Sequence, residues 1–426
     1  MTYKIYTLGC KVNTYESNVM SDILKNNNYV ETSNNADVAI INTCTVTNTA
    51  DNKSLKTIRH ALKENPNAII LVCGCLSQNK VDLVNEIDGV NIIIGNIFKT
   101  KIIEYIERFK KEKKQIIDIH DINNTIFETM SLNNFNKTRA FVKIQDGCNN
   151  FCTYCVIPYT RGNVRSKPKE EVIDEIKKLI HNGHKEIVLT GIHTGNYGSE
   201  FDNYDFANLL EDLVKIAGLE RLRISSIEIT ELNDRVLKII EDNSILVDHM
   251  HIPLQSGSDE VLKRMNRKYD KNYFINKINK IRTIRPNISI TTDVIVGFPG
   301  ETEEEFLETI DTIKKVRFTK LHVFPYSKRD KTKAATLPNQ VDQNTKKDRV
   351  KILLNLSKEL EIEYMNKYIN SEIIFIPEVR KDNYLIGHTG NYLLIKAAGE
   401  ENLLHQDVEV KIKSVNFPYL IGEKID

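Results

Sequence analysis

The sequence predicts an α/β protein in three parts: an N-terminal open parallel sheet, a central partial (β/α)6 barrel and a small C-terminal all-β barrel. Three observations predict it. Short apolar runs alternate with amphipathic segments over the first hundred residues, as in strands and helices wound into a parallel sheet. Six β-branched runs recur between 140 and 327 with helical segments between them, fewer than the eight units of a complete barrel. After a helix over 343–366, residues 367–426 hold only short strand-like runs and turns.

The N-terminal strands read KIYTLGC (4–10), VAIINTC (38–44), AIILVCGC (68–75) and VNIIIGN (90–96). Between them, SNVMSDILKNN and KSLKTIRHALKENP have helical spacing, the second stopped by Pro66. Ligands of an open parallel sheet gather outside the carboxyl ends of its strands. Cys10, Cys44 and Cys75 each end a different run, so topology carries three thiols toward one edge. Cys73 lies on the same side of its strand as Cys75 but further from the loop. Residues 99–115 read as a basic helix, with seven Lys/Arg against three Glu. Residues 118–136 lack a clear period, carry many Asn and read as a linker.

The barrel strands are AFVKIQDG (140–147), EIVLTGIH (186–193), RLRISSIE (221–228), HMHIPLQS (249–256), ISITTDVIVGFP (288–299) and KLHVFPYS (320–327). The clearest helix spans 168–183: Pro168 starts it, Val172, Ile176, Leu179 and Ile180 form its stripe, and Gly183 ends it. The C-terminal strands are EIIFIPEV, YLIGHTGNYLLIKAA, DVEVKIKSVN and YLIGEKI.

Chemistry enters after the first barrel strand, in QDGCNNFCTYCVIPYTRG (145–162). Cys148, Cys152 and Cys155 can bind three irons of a cubane and leave the fourth iron without a protein ligand. Four cysteines make an electron carrier; three leave a position that can bind and polarise a small molecule. A structural zinc wants four ligands, and no further Cys or His follows at finger spacing. Gly297, Phe298, Pro299 and Gly300 end the fifth strand, where glycine admits a close cofactor or makes a tight turn. Thr190, Gly191 and Glu228 end two other strands on the same rim. Arg161 and Arg165 suit a carboxylate or phosphate, or a solvated face.

The whole chain has 426 residues, 27% charged, with a formal net charge of +1. Attraction to nucleic acid therefore depends on local patches. Residues 263–285 carry nine Lys/Arg and one Asp, and 327–351 carry eight Lys/Arg and three Asp. Residues 367–426 are acidic overall, with Arg380, Lys381, His388 and Lys396 as a candidate local basic face. The start lacks signal-peptide features, and no apolar run reaches a membrane span. The expectation is a cytoplasmic protein without a membrane role. Its seven cysteines serve metal or redox chemistry rather than disulfides.

These motifs resemble the radical S-adenosylmethionine enzymes, and the chain as a whole is similar to their methylthiotransferase branch. TLGCKVN (7–13), NTCTVT (42–47) and GCLSQ (74–78) resemble that branch's N-terminal cluster motifs. TGIHTGNYG, RISSIE, HIPLQSGS, VGFPGET and HVFPYSKR resemble its later ones. The wording TLGCKVN, rather than TFGCQMN, looks closest to the MtaB type. That type converts N6-threonylcarbamoyladenosine beside the tRNA anticodon to its 2-methylthio form.

The resemblance implies three domains: 1–117 with an auxiliary cluster, 134–366 with the radical chemistry, and 367–426 as a TRAM domain. It implies two [4Fe–4S] clusters and S-adenosylmethionine. Cys148, Cys152 and Cys155 hold one cluster and are the catalytic cysteines; Cys10, Cys44 and Cys75 hold the other, Gly-Cys-x-x-Gln selecting Cys75 over Cys73. Tyr154 packs on the cofactor adenine, and Thr190, Gly191, Glu228 and Gly297 contact the cofactor. One electron breaks the sulfonium to give a 5′-deoxyadenosyl radical, and a sulfur carried by the second cluster is methylated and inserted. Implied partners are tRNA, a flavodoxin- or ferredoxin-type low-potential donor and a sulfur donor. For both irons to face one base, the N-terminal part must pack over the barrel's open end. The competing readings are the same chemistry on isopentenyladenosine tRNA or a ribosomal protein, and a metal-stabilised RNA-binding protein without activity.

Overall fold

The computed structural model describes residues 1–123, 125–135 and 137–425. Asn124 and Asn136, both in the expected linker, and Asp426 lie outside the described residues.

The N-terminal sheet is wholly parallel and has six strands, two more than expected. Their order is Val30–Glu31, Thr2–Thr7, Val38–Thr43, Ile69–Gly74, Ile92–Ile94 and Ile116–Asp118. The additions are the edges: one has two exposed residues, and the other lies where flanking lysines disguise three strand residues. In the centre, Thr7 pairs with Asn42 and Asn42 with Cys73. The loops that follow these three residues therefore leave the sheet side by side. The central strand Val38–Thr43 is buried throughout. Apolar layers lie on both faces of the sheet, one around Met20, Leu24 and Ile106, the other around Ile58, Ala61 and Leu76.

The barrel has the six expected strands. Arg139–Lys143, Glu186–Thr190 and Arg221–Ile224 form one parallel sheet; His249–His251, Ser289–Val296 and Lys320–Pro325 form another. A bridge between Leu222 and Leu246 and the Ile227 N–H donating to His251 O (3.0 Å) join them. Six major helices follow the strands in turn: Lys169–His181, Phe206–Leu213, Asp234–Asp242, Lys271–Ile284, Glu303–Val316 and Gln343–Asn366. The first and last strands do not pair, so the barrel is open on one side. The N-terminal helix Lys11–Asn26 lies along the first strand and adds Tyr15 and Val19 to the barrel core.

The segment read as a linker is a packed strap. Beyond Asp118, which ends the strand Ile116–Asp118, its described residues lack regular structure, but Ile122, Phe127, Met130, Leu132 and Phe135 are buried. The C-terminal strands Glu372–Lys381, Tyr384–Thr389, Leu394–Ala398, Tyr419–Lys424 and Val408–Asn416 close into a barrel around Phe375, Leu385, Ile395, Val410 and Leu420. Among the described residues no helix is long and apolar enough to cross a membrane.

Candidate active site

The Cys148 loop is tied down by its own backbone. The Cys148 N–H donates to Gly162 O (3.0 Å), the Cys155 N–H to Cys152 O (2.9 Å) and the Thr153 N–H to Met265 O (3.1 Å). Arg267 Nη1 donates to Cys152 Sγ at 3.3 Å, and its other end holds the Glu228 carboxylate. Cys148 Sγ is 3.8 Å from His193 Nδ1, whose far nitrogen pairs with Glu231. Burial pushes the Cys155 thiol up to about 12, helped by Cys152. Metal binding must therefore displace its proton.

The second triplet is assembled from three strand ends. Cys10 caps the helix Lys11–Asn26, Cys44 follows Val38–Thr43, and Cys75 opens the short helix Cys75–Asn79. Gly9 (φ +99°) runs so close to Cys44 that a Cβ would stand 2.9 Å from the Cys44 Cβ. Gly74 (φ +102°) would bring a Cβ within 2.6 Å of Thr43 O. Both turns need glycine, and both bring cysteine-bearing backbones together. Burial, then the neighbouring Cys75, raises the Cys44 thiol to about 11. Asn96 Nδ2 stands 3.6 Å from Cys75 Sγ, and the Cys10 thiol 3.9 Å from Asn13 Oδ1. Cys73 is fully buried in the apolar core, its thiol raised to about 12 chiefly by burial.

Among the described residues, no three or more His, Cys, Asp or Glu are placed to hold a single ion. A cubane asks for something else, a wider triangle with each thiolate on a different iron. The donor chemistry of both triplets fits it: each offers three thiols, with one imidazole, His193, hydrogen-bonded to Cys148. The second also has Arg161 within electrostatic reach of Cys10, Cys44 and Cys75, with its buried Nε–H left without a partner.

Arg161 joins the two triplets. Expected toward a cofactor or solvent, it is fully buried. It donates to Glu16 Oε1 (2.7 Å), Asp146 Oδ2 (3.1 Å) and Asn13 Oδ1 (2.6 Å). Lys143 spans the same two carboxylates at 2.7 Å each, and buried Lys99 holds Glu16 from the other side. Burial alone would raise Glu16; Arg161, Lys143 and Lys99 outweigh it and hold the carboxyl well below its usual range. Arg165 is also buried, donating to the carbonyls of Arg161 (2.8 Å) and Ile122 (3.1 Å). Asn96 completes the link, giving one amide to Thr160 O at 2.8 Å beside the same arginine. A second anchor sits at Cys44: Arg329, read as part of a basic patch, is buried on Asn48, Thr45 and Asp51 at 2.6–2.8 Å.

The other expected residues divide. Tyr154 packs beside the loop against Val261, Met265, Phe298 and Tyr326. The buried Thr190 hydroxyl turns back to Val188 O (3.2 Å), and Gly191 presses on Gln145. Glu228 reaches the site through Arg267. Gly297 (φ +68°) lies in a tight turn, where a Cβ would collide with the Lys346 side chain and the N–H donates to Glu301 (2.6 Å).

The basic runs shrink in the same way. Arg264, Lys271 and Lys280 pair with Glu305, Glu308 and Asp234, while Arg282 and Arg285 cap carbonyls. Lys346 and Arg349 are buried. His388 is turned into the barrel interface, bonded to Glu378 and stacked on Tyr392.

Sequence reasoning also missed a polar cluster on the last three barrel strands. His251 Nδ1 meets Thr291 Oγ1 (3.0 Å) and its Nε2 meets Asp293 Oδ2 (3.3 Å), with the His322 ring 5.5 Å away. Two residues along the same strand face is exposed Phe324. Strand alternation was the available signal: positions 291 and 293, and 322 and 324, share a face. Lys11, next to Cys10, lies within electrostatic reach of Asp293, Arg223 and His322.

Comparison with known proteins agrees with this geometry. Residues 142–313 match the Radical SAM superfamily, and residues 2–95 match the uncharacterized protein family UPF0004. Threonylcarbamoyladenosine tRNA methylthiotransferase MtaB of Bacillus subtilis is 44% identical, covering 99% of this chain and 96% of that one. A tRNA-2-methylthio-N(6)-dimethylallyladenosine synthase of Clostridium tetani is 38% identical, covering 100% and 96%. In fold, the radical S-adenosylmethionine methyltransferase TsrM of Kitasatospora setae superposes with a TM-score of 0.58 at 12% identity, over 78% of this chain and 76% of that one. With a barrel that carries the three-cysteine loop and relatives matched over nearly their whole length, the chain belongs to the radical S-adenosylmethionine methylthiotransferase family and is a transferase.

Proposed function

We propose that the chain converts N6-threonylcarbamoyladenosine in tRNA to its 2-methylthio derivative, with two [4Fe–4S] clusters, one held by Cys148, Cys152 and Cys155 and the other by Cys10, Cys44 and Cys75. The observation that carries the reading is the pair of three-thiol sites joined through Arg161 and Asn96. Such clusters would supply reductive cleavage of S-adenosylmethionine at one site and the sulfur to be transferred at the other.

The chain's own residues position and shield. Arg267 donates to the Cys152 sulfur and is itself oriented by Glu228. Such hydrogen bonds to cluster sulfurs tune potential. Tyr154 and Phe298 form the apolar wall beside that loop, suited to an adenine face. The Glu16 ion cluster sets the spacing between the two sites, and reacting groups gain from fixed geometry. Phe324 offers a face for a substrate base. In this reading residues 1–117, 134–366 and 367–426 are the auxiliary-cluster, radical and TRAM domains. Exposed Lys263 and Lys268, at an open depression of about 550 Å³ that also holds Asp259, Glu260 and Asp270, are the candidate phosphate contacts for tRNA. A flavodoxin- or ferredoxin-type donor supplies electrons, and a separate sulfur donor refills the second site.

Nucleoside analysis of tRNA from a deletion strain tests this. Loss of the 2-methylthio-threonylcarbamoyl nucleoside is expected; loss of only the isopentenyl form would assign the chain to the other tRNA reaction. Anaerobic reconstitution with about eight irons per chain supports two clusters, and one zinc with no S-adenosylmethionine cleavage rejects the enzyme.

A further inference from the structure

The C-terminal barrel caps the radical barrel at the end opposite the Cys148 loop. Its ion pairs fall where strands start: Glu378 takes Arg139, and Asp407 takes Arg221 and Lys185. The turn 390–393 of this cap reaches further in, held by Arg223 Nη2, which donates to Gly390 O (2.9 Å). It carries Tyr392 on left-handed backbone (φ +68°), a conformation that bulky residues avoid and glycine adopts freely. The Tyr392 ring is stacked on His249 with centroids 4.9 Å apart, yet it stays 39% exposed. Strained backbone that presents a half-exposed aromatic points to a task other than packing.

From His249 a chain of contacts runs along the inner face of the barrel. Met250, Ile290, Val294 and Leu321 go to the apolar core under the helices, so His249, His251, Thr291, Asp293 and His322 face the other way. His249 Nε2 meets Thr291 Oγ1 at 3.2 Å, and the same oxygen meets His251 Nδ1 at 3.0 Å. His251 Nε2 stands 3.3 Å from Asp293 Oδ2. With neutral rings, one arrangement of protons satisfies all of these contacts. The His251 Nε2–H donates to Asp293, the Thr291 hydroxyl donates to His251 Nδ1, and the His249 Nε2–H donates to Thr291. His249 Nδ1 is then a bare acceptor, and it is the atom of that buried ring without a partner. Asp293 ends the chain with 31% of its side chain exposed. It pairs in register with His322, two residues before Phe324. Two residues further, Tyr326 packs with Phe298 and with Tyr154 of the cysteine loop. The chain therefore leads from the cap to the wall beneath that loop.

We propose that Tyr392 is a positioning residue for the reaction: its ring fixes His249 and, through Thr291 and His251, aims the Asp293 carboxylate at an N–H on the edge of the substrate adenine. This rests on the function proposed above and gives the C-terminal barrel a part in it besides any contact with RNA. A carboxylate keeps lone pairs beyond the one given to His251, and an N6-monosubstituted adenine keeps its N6–H. The step is orientation alone, with no bond made or broken.

Tyr392→Gly removes the ring and relieves the turn, so it tests the ring without straining the fold. The full-length protein, labelled with 15N-histidine, is first read by NMR before iron is added. The parent should show His249 and His251 as Nε2–H tautomers. Tyr392→Gly should shift both ring signals, and Tyr392→Phe should keep them. The reconstituted proteins then receive stem-loop RNAs carrying threonylcarbamoyl- or isopentenyladenosine. In Tyr392→Gly, 5′-deoxyadenosine released per methylthio nucleoside should rise about ten-fold, as a misplaced base allows. Thr291→Val should do the same, and the double variant should be no worse than either single one. Arg221→Ala, which loosens the same interface away from Tyr392, should stay at the parent ratio. Histidine signals or a ratio unmoved by Tyr392→Gly overturn the proposal, and so does a fall in RNA affinity alone. Effects of Tyr392→Gly and Thr291→Val that multiply overturn it too, as does equal uncoupling by Arg221→Ala. If only the isopentenyl RNA is modified, the functional reading fails, and the ratio on that RNA still decides the role of Tyr392. Should Tyr392→Gly lose iron, Thr291→Val decides on the same ratio.

Discussion

The barrel meets its two neighbours through unlike interfaces. Toward the N-terminal sheet the contact is a dehydrated ion cluster: Glu16, Lys99 and Arg161 are fully buried, with Lys143 and Asp146 nearly so. Toward the C-terminal barrel the ion pairs are partly wet, with Arg139 on Glu378 and Arg221 and Lys185 on Asp407. One aromatic, Tyr392, fills the gap between them. It stacks on His249 and His388 with centroids 4.9 and 4.7 Å apart, and the guanidiniums of Arg139 and Arg223 lie over its ring. Buried ions tolerate little displacement, because any gap strands a charge. Wet pairs can part and let water in. The interface between the two thiol triplets is therefore the rigid one, and the interface to the C-terminal barrel can adjust.

The most drastic way to break this comparison is to remove the chemistry it serves. Cys148→Ala should abolish formation of 5′-deoxyadenosine, whereas Cys75→Ala should keep it and lose methylthio transfer, each losing about half of the reconstituted iron. Equal loss of deoxyadenosine in both would mean that the two sites are not separable.

Next in size is Arg161→Met. It leaves Glu16 and Asp146 short of a partner and should cost about 3–5 kcal/mol in chemical denaturation. A loss below 1 kcal/mol would show that the cluster is not the rigid element.

At the softer interface the effect follows pH. Burial would raise Glu378, but His388 and Arg139 hold it at about 2. That lies below the ordinary 4.5, so its contribution is complete above about pH 4.5 and is lost as the pH falls toward 2. Glu378→Gln should flatten this acid limb in thermal melts at graded pH. An unchanged limb would place the acid transition elsewhere.

The smallest effect belongs to Arg221→Ala, below about 1 kcal/mol and shrinking with added salt. A larger, salt-independent loss would erase the contrast between the interfaces.

The two triplets also differ in how sequence reveals them. Cys148, Cys152 and Cys155 lie within one loop, so spacing alone speaks for them. Cys10, Cys44 and Cys75 lie far apart in the chain and became visible through the rule that parallel strands gather ligands at their carboxyl ends, together with the family wording of their motifs; the strand register sets the loops that carry them side by side. The cations were misread for a physical reason. A count of charges cannot say which lysine or arginine meets a carboxylate far along the chain. Arg161 meets Glu16 across 145 positions, and Arg329 meets Asp51 across 278. Lys99 read as the start of a basic helix and is fully buried. Arg267 was hidden the same way, inside a run of nine basic residues. The short strand Ile116–Asp118 escaped because its stability comes from pairing with Ile92–Ile94, not from its own residues.

The alignment of Thr7, Asn42 and Cys73 has a consequence for how the protein matures. That alignment is made of main-chain hydrogen bonds between neighbouring strands, and the glycine turns beyond it add only close backbone contacts. The mould for the second site is thus cast by the sheet itself. On the function proposed above, iron delivery would be a late step, an insertion into a finished receptacle, and a damaged cluster could be exchanged without the chain having to refold.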